Sequence, residues 1–329
     1  MQEPNHTRNH TLAQQLHSLD YAALPISEYS RSYILRMLPH LDYYLDIYSR
    51  SLAQMLSALG KAPAQTIMVD YGGGHGFLSL LAKSLGIGHV IYIDYNPQAV
   101  ETVTAIGRHV GLMPDNILQG TSAQLRTWCH DKHIVPDALL GMDVIEHIYR
   151  LDTFFADLQG LNPSLYQLYT TGSTPYNRRV ARRLRAVMRA DEQGRGSQPG
   201  FFQLRRDFLA QHYPHLSPIQ LDTWALSTRG LIYDDILQAV ETGTPADLSD
   251  PYNTCDPATG SWTERILTLP QYQDLARPYG FALALSNGFY NTRQGSLPKS
   301  LAAKLLNLLI SNNRNRSLAP FIILHTPKP

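Results

Sequence analysis

From Thr66 the chain reads Thr-Ile-Met-Val-Asp-Tyr-Gly-Gly-Gly-His-Gly-Phe77, an apolar run that breaks into four glycines within residues 72–76. A short, near-continuous apolar run is what a strand buried on both faces requires. The glycines after it permit positive φ and a close backbone approach that a Cβ would block. In open α/β sheets such a turn leads from the carboxyl end of a strand to a helix N-terminus, where backbone amides meet a ligand. The next apolar run, His89 to Asp94, ends in an acid about twenty residues beyond the turn, where these folds hold a ribose diol. The spacing excludes a dinucleotide fingerprint: Gly72 and Gly74 are followed by Phe77, and Gly74 and Gly76 by Ser79, where a third Gly or Ala is needed. No Gly-Lys-Ser/Thr phosphate loop occurs anywhere.

Around this turn, strand and helix patterns alternate. Strands are predicted at Thr66 to Asp70, Val90 to Asp94, Asn116 to Gln119, Ala138 to Met142 and Leu165 to Thr171. Helices are predicted at Phe77 to Leu85, Pro97 to Val110, Ser122 to Cys129 and Leu151 to Leu158. Apolar strands alternating with amphipathic helices make a doubly wound, mostly parallel α/β sheet. After the fifth strand the alternation stops. Residues 176–262 read as helices and loops, with a flexible break at Gln193 to Gly200 and a Pro/Gly/Asp-rich loop at Asp247 to Gly260. The core resumes with a helix at Leu269 to Tyr279, a strand at Gly280 to Leu285, a helix at Leu301 to Ile310 and a strand at Phe321 to Leu324. Residues 1–60 show no strand alternation, and Tyr33 to Leu59 is helical in period and stops at Gly60. The expected organisation is a helical N-terminal extension (1–60), a core (61–175 and 263–329) and a helical insertion (176–262) acting as a lid or acceptor domain.

Composition describes an ordinary folded chain: 329 residues, 43% hydrophobic, 17% charged, with a formal net charge of +1. That charge argues against global attraction to nucleic acid. Cys129 and Cys255 lack metal or disulfide spacing and are expected to be free thiols. The N-terminus has no apolar signal core and no run reaches the length of a membrane span, so the expected location is the cytoplasm.

The Asp70, Gly72, Gly74 and Gly76 pattern, together with Asp94 and the run Asp137 to His147, resembles the Asp-x-Gly-x-Gly-x-Gly signature of class I S-adenosylmethionine-dependent methyltransferases. The likeness is to their small-molecule branch, which includes polyprenyl-quinone O-methyltransferases. It covers about residues 65–175 and 263–329. It implies a Rossmann-like, seven-stranded sheet with an antiparallel C-terminal strand, and S-adenosyl-L-methionine as cofactor. It further implies that Gly72, Gly74 and Gly76 pass beneath the methionine moiety and that Asp70 supports the turn or the amino group. Asp94 would accept from the ribose hydroxyls, Tyr95 would flank the adenine, and Asp143 would lie at the cofactor end of the fourth strand. Many relatives carry Gly-Asp after the third strand; this chain has Gly120-Thr121-Ser122, so Thr121 offers the adenine only a hydroxyl.

For the reaction, His147 is a candidate general base and Tyr176 a second catalytic candidate, with Asn177 orienting the acceptor; Pro175 and Asn177 are equally ordinary turn formers. Asp143, Glu146 and His147 also resemble, with Asp for the first Glu, the divalent-metal motif of quinone O-methyltransferases and small-RNA 2′-O-methyltransferases. Tyr29, Tyr33, Tyr43, Tyr44 and Tyr48 either roof an acceptor pocket or pack as a helical stripe. Residues 177–189 carry six arginines and no acid, a basic amphipathic helix that offers an anionic contact, peripheral to a membrane or on a phosphate. Helix Leu301 to Ile310 is apolar nearly all round and is expected to be buried against the sheet. The preferred reading is a methyltransferase that O-methylates a hydroxyl of a small-molecule acceptor. The alternatives are an RNA 2′-O-methyltransferase with a metal, which the net charge disfavours, and a cofactor-binding scaffold without turnover. DNA is not an expected partner.

Overall fold

The computed structural model describes residues 3–196, 198–293 and 295–327. Seven strands form one sheet: β1 (Ile67–Tyr71), β2 (His89–Asp94), β3 (Asn116–Gln119), β4 (Ala138–Met142), β5 (Tyr166–Thr171), β6 (Ala284–Asn287) and β7 (Ile322–His325). Their order is β3-β2-β1-β4-β5-β7-β6. Neighbours from β3 to β5 are parallel, whereas β7 runs antiparallel to both β5 and β6. This is the Rossmann-like arrangement of methyltransferases, with the single reversed strand next to the edge. The order switches between β1 and β4, so the crevice for a ligand lies outside the carboxyl ends of β1, β2 and β4.

Four helices follow the strands: α4 (Phe77–Ser84), α5 (Pro97–Val110), α6 (Ser122–Lys132) and α7 (Leu151–Leu161). Asn96 caps α5, its side chain accepting from Gln98 N, with Pro97 in the first turn where a missing N–H costs nothing. On one face of the sheet α4 and α5 are joined by α1 (Glu3–Ser18), α2 (Glu28–Met37) and α3 (Leu41–Leu59), whose Leu12, Leu16, Ile34, Leu45, Leu52 and Met55 are buried in the same core as Met68 and Val90. The N-terminal extension is therefore part of a sheet layer. Gly60 ends α3 in the left-handed conformation, at the position its sequence marks. The opposite face packs α6, α7 and α12 (Leu269–Ala276) around Phe154, Phe155 and Tyr272.

The insertion holds α8 (Arg178–Gln193), α9 (Phe201–His212), α10 (Pro218–Ser227) and α11 (Tyr233–Thr242), the last three around a small core of Leu209, Leu221, Ala225 and Ile236. Buried Arg205 pairs with Glu192 at 2.5 Å and donates to Ala225 O, tying α9 to α8 and α10. The break expected at Gln193 to Gly200 is instead a small hairpin, with Gly194 and Arg195 paired to Pro199 and Gln198. Both cysteines are free and buried. Among the described residues, no helix is long and apolar enough to cross a membrane.

Two expectations change. The strand placed at Gly280 to Leu285 lies at Ala284–Asn287, because Phe281 and Leu283 pack into the core and pairing with β7 begins at Ala284 opposite His325. The helix expected to be buried, α13 (Leu297–Ile310), is mostly exposed: Leu301 is 70% and Leu308 72% accessible. Ala303 and Ile310 are its buried residues, so the leucines spaced three or four apart turn outward.

Gly76 caps α4 at φ +80°, and a Cβ there would collide with the Val103 side chain of α5. Gly76→Ala should therefore cost about 2–4 kcal/mol in urea denaturation, from left-handed strain and overpacking together. Adding Val103→Ala should return the steric part; a Gly76→Ala variant of native stability would show that the helix start is not fixed by this contact.

Candidate active site

The glycine turn is held from the neighbouring strand. Gly72 N and Gly73 N donate to Ile93 O at 2.9 and 3.3 Å, and Gly76 N closes the turn on Gly73 O at 2.8 Å. At the apex, Gly74 N donates to Asp94 Oδ2 at 2.9 Å while the Tyr92 hydroxyl donates to Gly74 O at 2.5 Å. One residue is thus held at both its N–H and its C=O by alternate side chains of β2. Gly74 has φ +53° and open space where a Cβ would stand, whereas a Cβ on Gly72 would strike Val144 and one on Gly73 would meet the Tyr92 ring at 2.6 Å. The turn is closed on its inner side and open on its outer side, as a close-approach cradle requires.

Asp70 fixes the helix that follows. Its Oδ2 accepts from Ser79 N at 3.0 Å and from Ser79 Oγ at 2.7 Å, bracing the first turn of α4. Burial pushes its carboxyl up to about 7, with the two Ser79 bonds opposing that rise. Asp94 is also buried and also raised by burial, opposed by backbone N–H groups that include Asn96, whose N donates to Oδ1 at 2.9 Å. Each carboxylate oxygen has further lone-pair capacity for ligand hydroxyls.

Two cavities meet at Gly72, Asp94 and Tyr95. The first, about 250 Å³, lies between the glycine turn and the N-terminal helices; Tyr29, Tyr33, Tyr44 and Tyr48 line it opposite Met142 and Asp143. Tyr33 stacks on His75 with centroids 4.8 Å apart, and burial lowers His75 to about 4, so this imidazole is neutral at pH 7. Tyr43, expected with the other tyrosines, instead donates to Phe289 O and meets that ring edge-on. The second cavity, about 500 Å³, is lined by Thr121, Ser122, Val144, His147 and Tyr149, and by Ile232 and Gly260 from the insertion. Thr121 donates its hydroxyl to Gln124 Oε1 at 2.6 Å, leaving its oxygen able to accept a bond from a base amine.

After β4 the chain turns sharply. Asp143 takes φ +51°, unusual outside glycine, and its N donates to Thr170 O at 2.9 Å. Its side chain is exposed to the first cavity, and the protein packed around it raises the carboxyl to about 6, with His147 opposing and Glu264 adding to the rise. Glu146 is buried, with Oε2 lacking a partner, and burial followed by Asp143 holds it well above the usual carboxylate range. His147 Nδ1 lies 2.7 Å from Trp262 O; a carbonyl only accepts, so Nδ1 carries the proton and Nε2 keeps a lone pair. Among the described residues, no group of three or more His, Cys, Asp or Glu is arranged to hold a metal. Asp143, Glu146 and His147 diverge, to the first cavity, the core and the second cavity respectively.

The other two acceptor candidates have structural employment. The Tyr176 hydroxyl accepts from Leu269 N at 3.0 Å, and Arg316 covers its ring. Asn177 is buried; its Oδ1 caps α8 through Arg179 N and its Nδ2 donates to Ala319 O at 2.9 Å. Neither residue lines the two cavities. Sequence reasoning missed Tyr92, His75 and Glu264, the last of which accepts from the Ser173 hydroxyl beside Asp143 and Glu146.

Strand order and crevice together define a Rossmann-like fold of the methyltransferase type. No family model matches the chain. Over 39 residues, 12% of this chain, it is 56% identical to the ribosomal protein L11 methyltransferase of Burkholderia thailandensis, a match that spans 13% of that relative's length. Among solved structures it is similar to PKMT2 from Rickettsia typhi in complex with AdoHcy, with TM-score 0.39, 14% identity, and coverage of 83% of this chain and 52% of that one. It is also similar to ribosomal protein L11 methylase from Lactobacillus delbrueckii subsp. bulgaricus, with TM-score 0.28, 15% identity, and coverage of 37% and 60%. The strand order defines the fold without them.

The raised carboxyl of Asp70 has a consequence for stability. An unfolded aspartate titrates near 3.9, so between about pH 4 and 7 the folded chain binds more protons at Asp70 than the unfolded chain. Its contribution to stability is then greatest at low pH and declines as pH rises through that window. Denaturation between pH 4.5 and 7.5 should show a shallower decline in Asp70→Asn than in the wild type. Equal slopes would mean that Asp70 titrates as an ordinary carboxylate.

Proposed function

We propose that the protein is an S-adenosylmethionine-dependent methyltransferase that O-methylates a small acceptor bound beneath the N-terminal helices. The observation that carries this reading is the shared edge of the two cavities, where the open side of Gly74 adjoins a buried carboxylate, Asp94, fixed by two backbone amides. The residues fit an adenosyl amino acid: Gly72 to Gly74 would accommodate its chain, Asp94 its ribose hydroxyls, and Tyr95 and Thr121 its base. When bound, the cofactor supplies a methyl group already activated on a sulfonium, so the protein's task is to place the acceptor oxygen and exclude water.

The tyrosine-lined cavity supplies that placement, since its size suits a small acceptor better than a macromolecule. Of the carboxylates lining it, Asp70, at about 7, is engaged by Ser79, and Asp143, at about 6, is the one we assign to take the acceptor proton near neutral pH. His147 lines the other cavity, and its influence lowers the Asp143 pKa. We assign it to keeping Asp143 ionised rather than to direct proton transfer. The insertion closes the second cavity through Thr259 to Ser261 and through Tyr149, whose hydroxyl donates to Asp235 at 2.5 Å, and this placement supports a lid role.

Asp94→Asn should weaken binding of S-adenosylhomocysteine in calorimetry by about 1.5–3 kcal/mol, the loss expected for charge-assisted bonds. An unchanged affinity would remove Asp94 from the cofactor site. Once an acceptor is found by mass-spectrometric detection of a 14-dalton increment, one CH₂ unit, Asp143→Asn should lower turnover about a hundredfold or more. His147→Ala should lower it less and move the acid limb of the pH–rate profile upward, as Asp143 loses the neighbour that lowers its pKa. The opposite ranking would return the proton to His147.

A further inference from the structure

A groove of about 460 Å³ lies along α8, lined by Arg178, Arg182, Arg185 and Arg189 with Pro175 at one end and Tyr252 across from the last two arginines. Spacings of four, three and four residues set the four guanidiniums on one narrow stripe running about 16 Å along the helix. Helix packing does not demand arginine at these positions: all four are exposed, and the buried face is Ala181, Leu184 and Met188. Like charges on successive turns repel, so the stripe destabilises the isolated helix unless something offsets it.

Acids of the chain do not offset it. Among the described residues no ion pair joins any of the four to Asp or Glu. The two acids that end the helix are engaged elsewhere: Asp191 pairs with Arg195 at 2.7 Å and accepts from Thr263, and Glu192 holds the buried Arg205 and accepts from Thr254. Arg185 and Arg189 lie 5.2 and 5.4 Å from the Tyr252 centroid, a cation–π contact that orients their forks. Oriented guanidiniums bind phosphate oxygens in pairs, which ammonium groups do not.

We propose that this groove is a binding site for an anion carrying two or more phosphate groups, free in solution or displayed as a lipid headgroup. A groove of this volume suits a small ligand, and the chain's net charge of +1 does not supply the attraction a nucleic-acid track uses. The inference is independent of the methyl-transfer reading, since it concerns a different surface and its test needs no turnover.

The test is calorimetry of the full chain with inorganic tripolyphosphate, alongside sedimentation with phosphatidylcholine vesicles with or without phosphatidylinositol bisphosphate. The double variant Arg182→Gln/Arg185→Gln should weaken binding about thirtyfold or more. The control Arg179→Gln/Arg183→Gln removes the same charge from another flank of the helix and should change affinity less than about threefold. Binding of tripolyphosphate points to a soluble ligand and binding confined to the doped vesicles to a lipid headgroup; either supports the site if the first variant alone abolishes it. Absence of binding to both probes, equal losses in the two variants, or tighter binding of a short single-stranded RNA than of tripolyphosphate would overturn the proposal.

Discussion

The crevice depends on how one residue is held. The Gly74 N–H is bound by Asp94 and its C=O by the Tyr92 hydroxyl, both from β2, so the turn after β1 is registered to the neighbouring strand rather than free to breathe. Parallel pairing of β1 with β2 sets the spacing, with Asp70 opposite Tyr92, and two-residue alternation points Tyr92 and Asp94 the same way. Substituting either side chain would loosen the apex, and with it the open side that a ligand approaches.

Burial then gives the carboxylates around this residue different characters. Asp70 is enclosed and holds a helix start; Asp94 is enclosed but faces the junction of two cavities; Asp143 is exposed to one of them. Glu146, without a partner for one oxygen, is pushed well above the usual carboxylate range by burial in the core. Four acids near one sheet edge can coexist because desolvation raises their pKa values and backbone or hydroxyl donors satisfy those that stay charged. The N-terminal helices, buried in the same core as one face of the sheet, line the cavity on which Asp70, Asp94 and Asp143 open.

Much of this architecture is legible in the residues themselves. Glycines with a buried strand before them and an acid at the end of the next strand leave few conformations open, and Asn116–Gln119 and Ala138–Met142 lie where their apolar patterns place them. What depends on tertiary contact is not legible. Tyr92 reads as one more buried aromatic until the turn is folded against it. Tyr176 and Asn177 follow a strand end, and turn chemistry looks the same in sequence whether it faces a ligand or caps a helix. The leucines of α13 carry the composition of a buried helix, but only the packed chain shows that Ala303 and Ile310 form its inner side. The tyrosines of the N-terminal helices divide between a cavity roof and ordinary packing for the same reason, with Tyr43 leaving the group for Phe289.

A crystal structure determined with S-adenosylhomocysteine tests the central claim most directly. Density should run from the tyrosine-lined cavity into the second one, with both ribose hydroxyls within hydrogen-bond distance of Asp94 and the Gly74 peptide still bound by Tyr92. Empty cavities at saturating ligand, or a pyrophosphate-bearing nucleotide occupying them in preference, would contradict it.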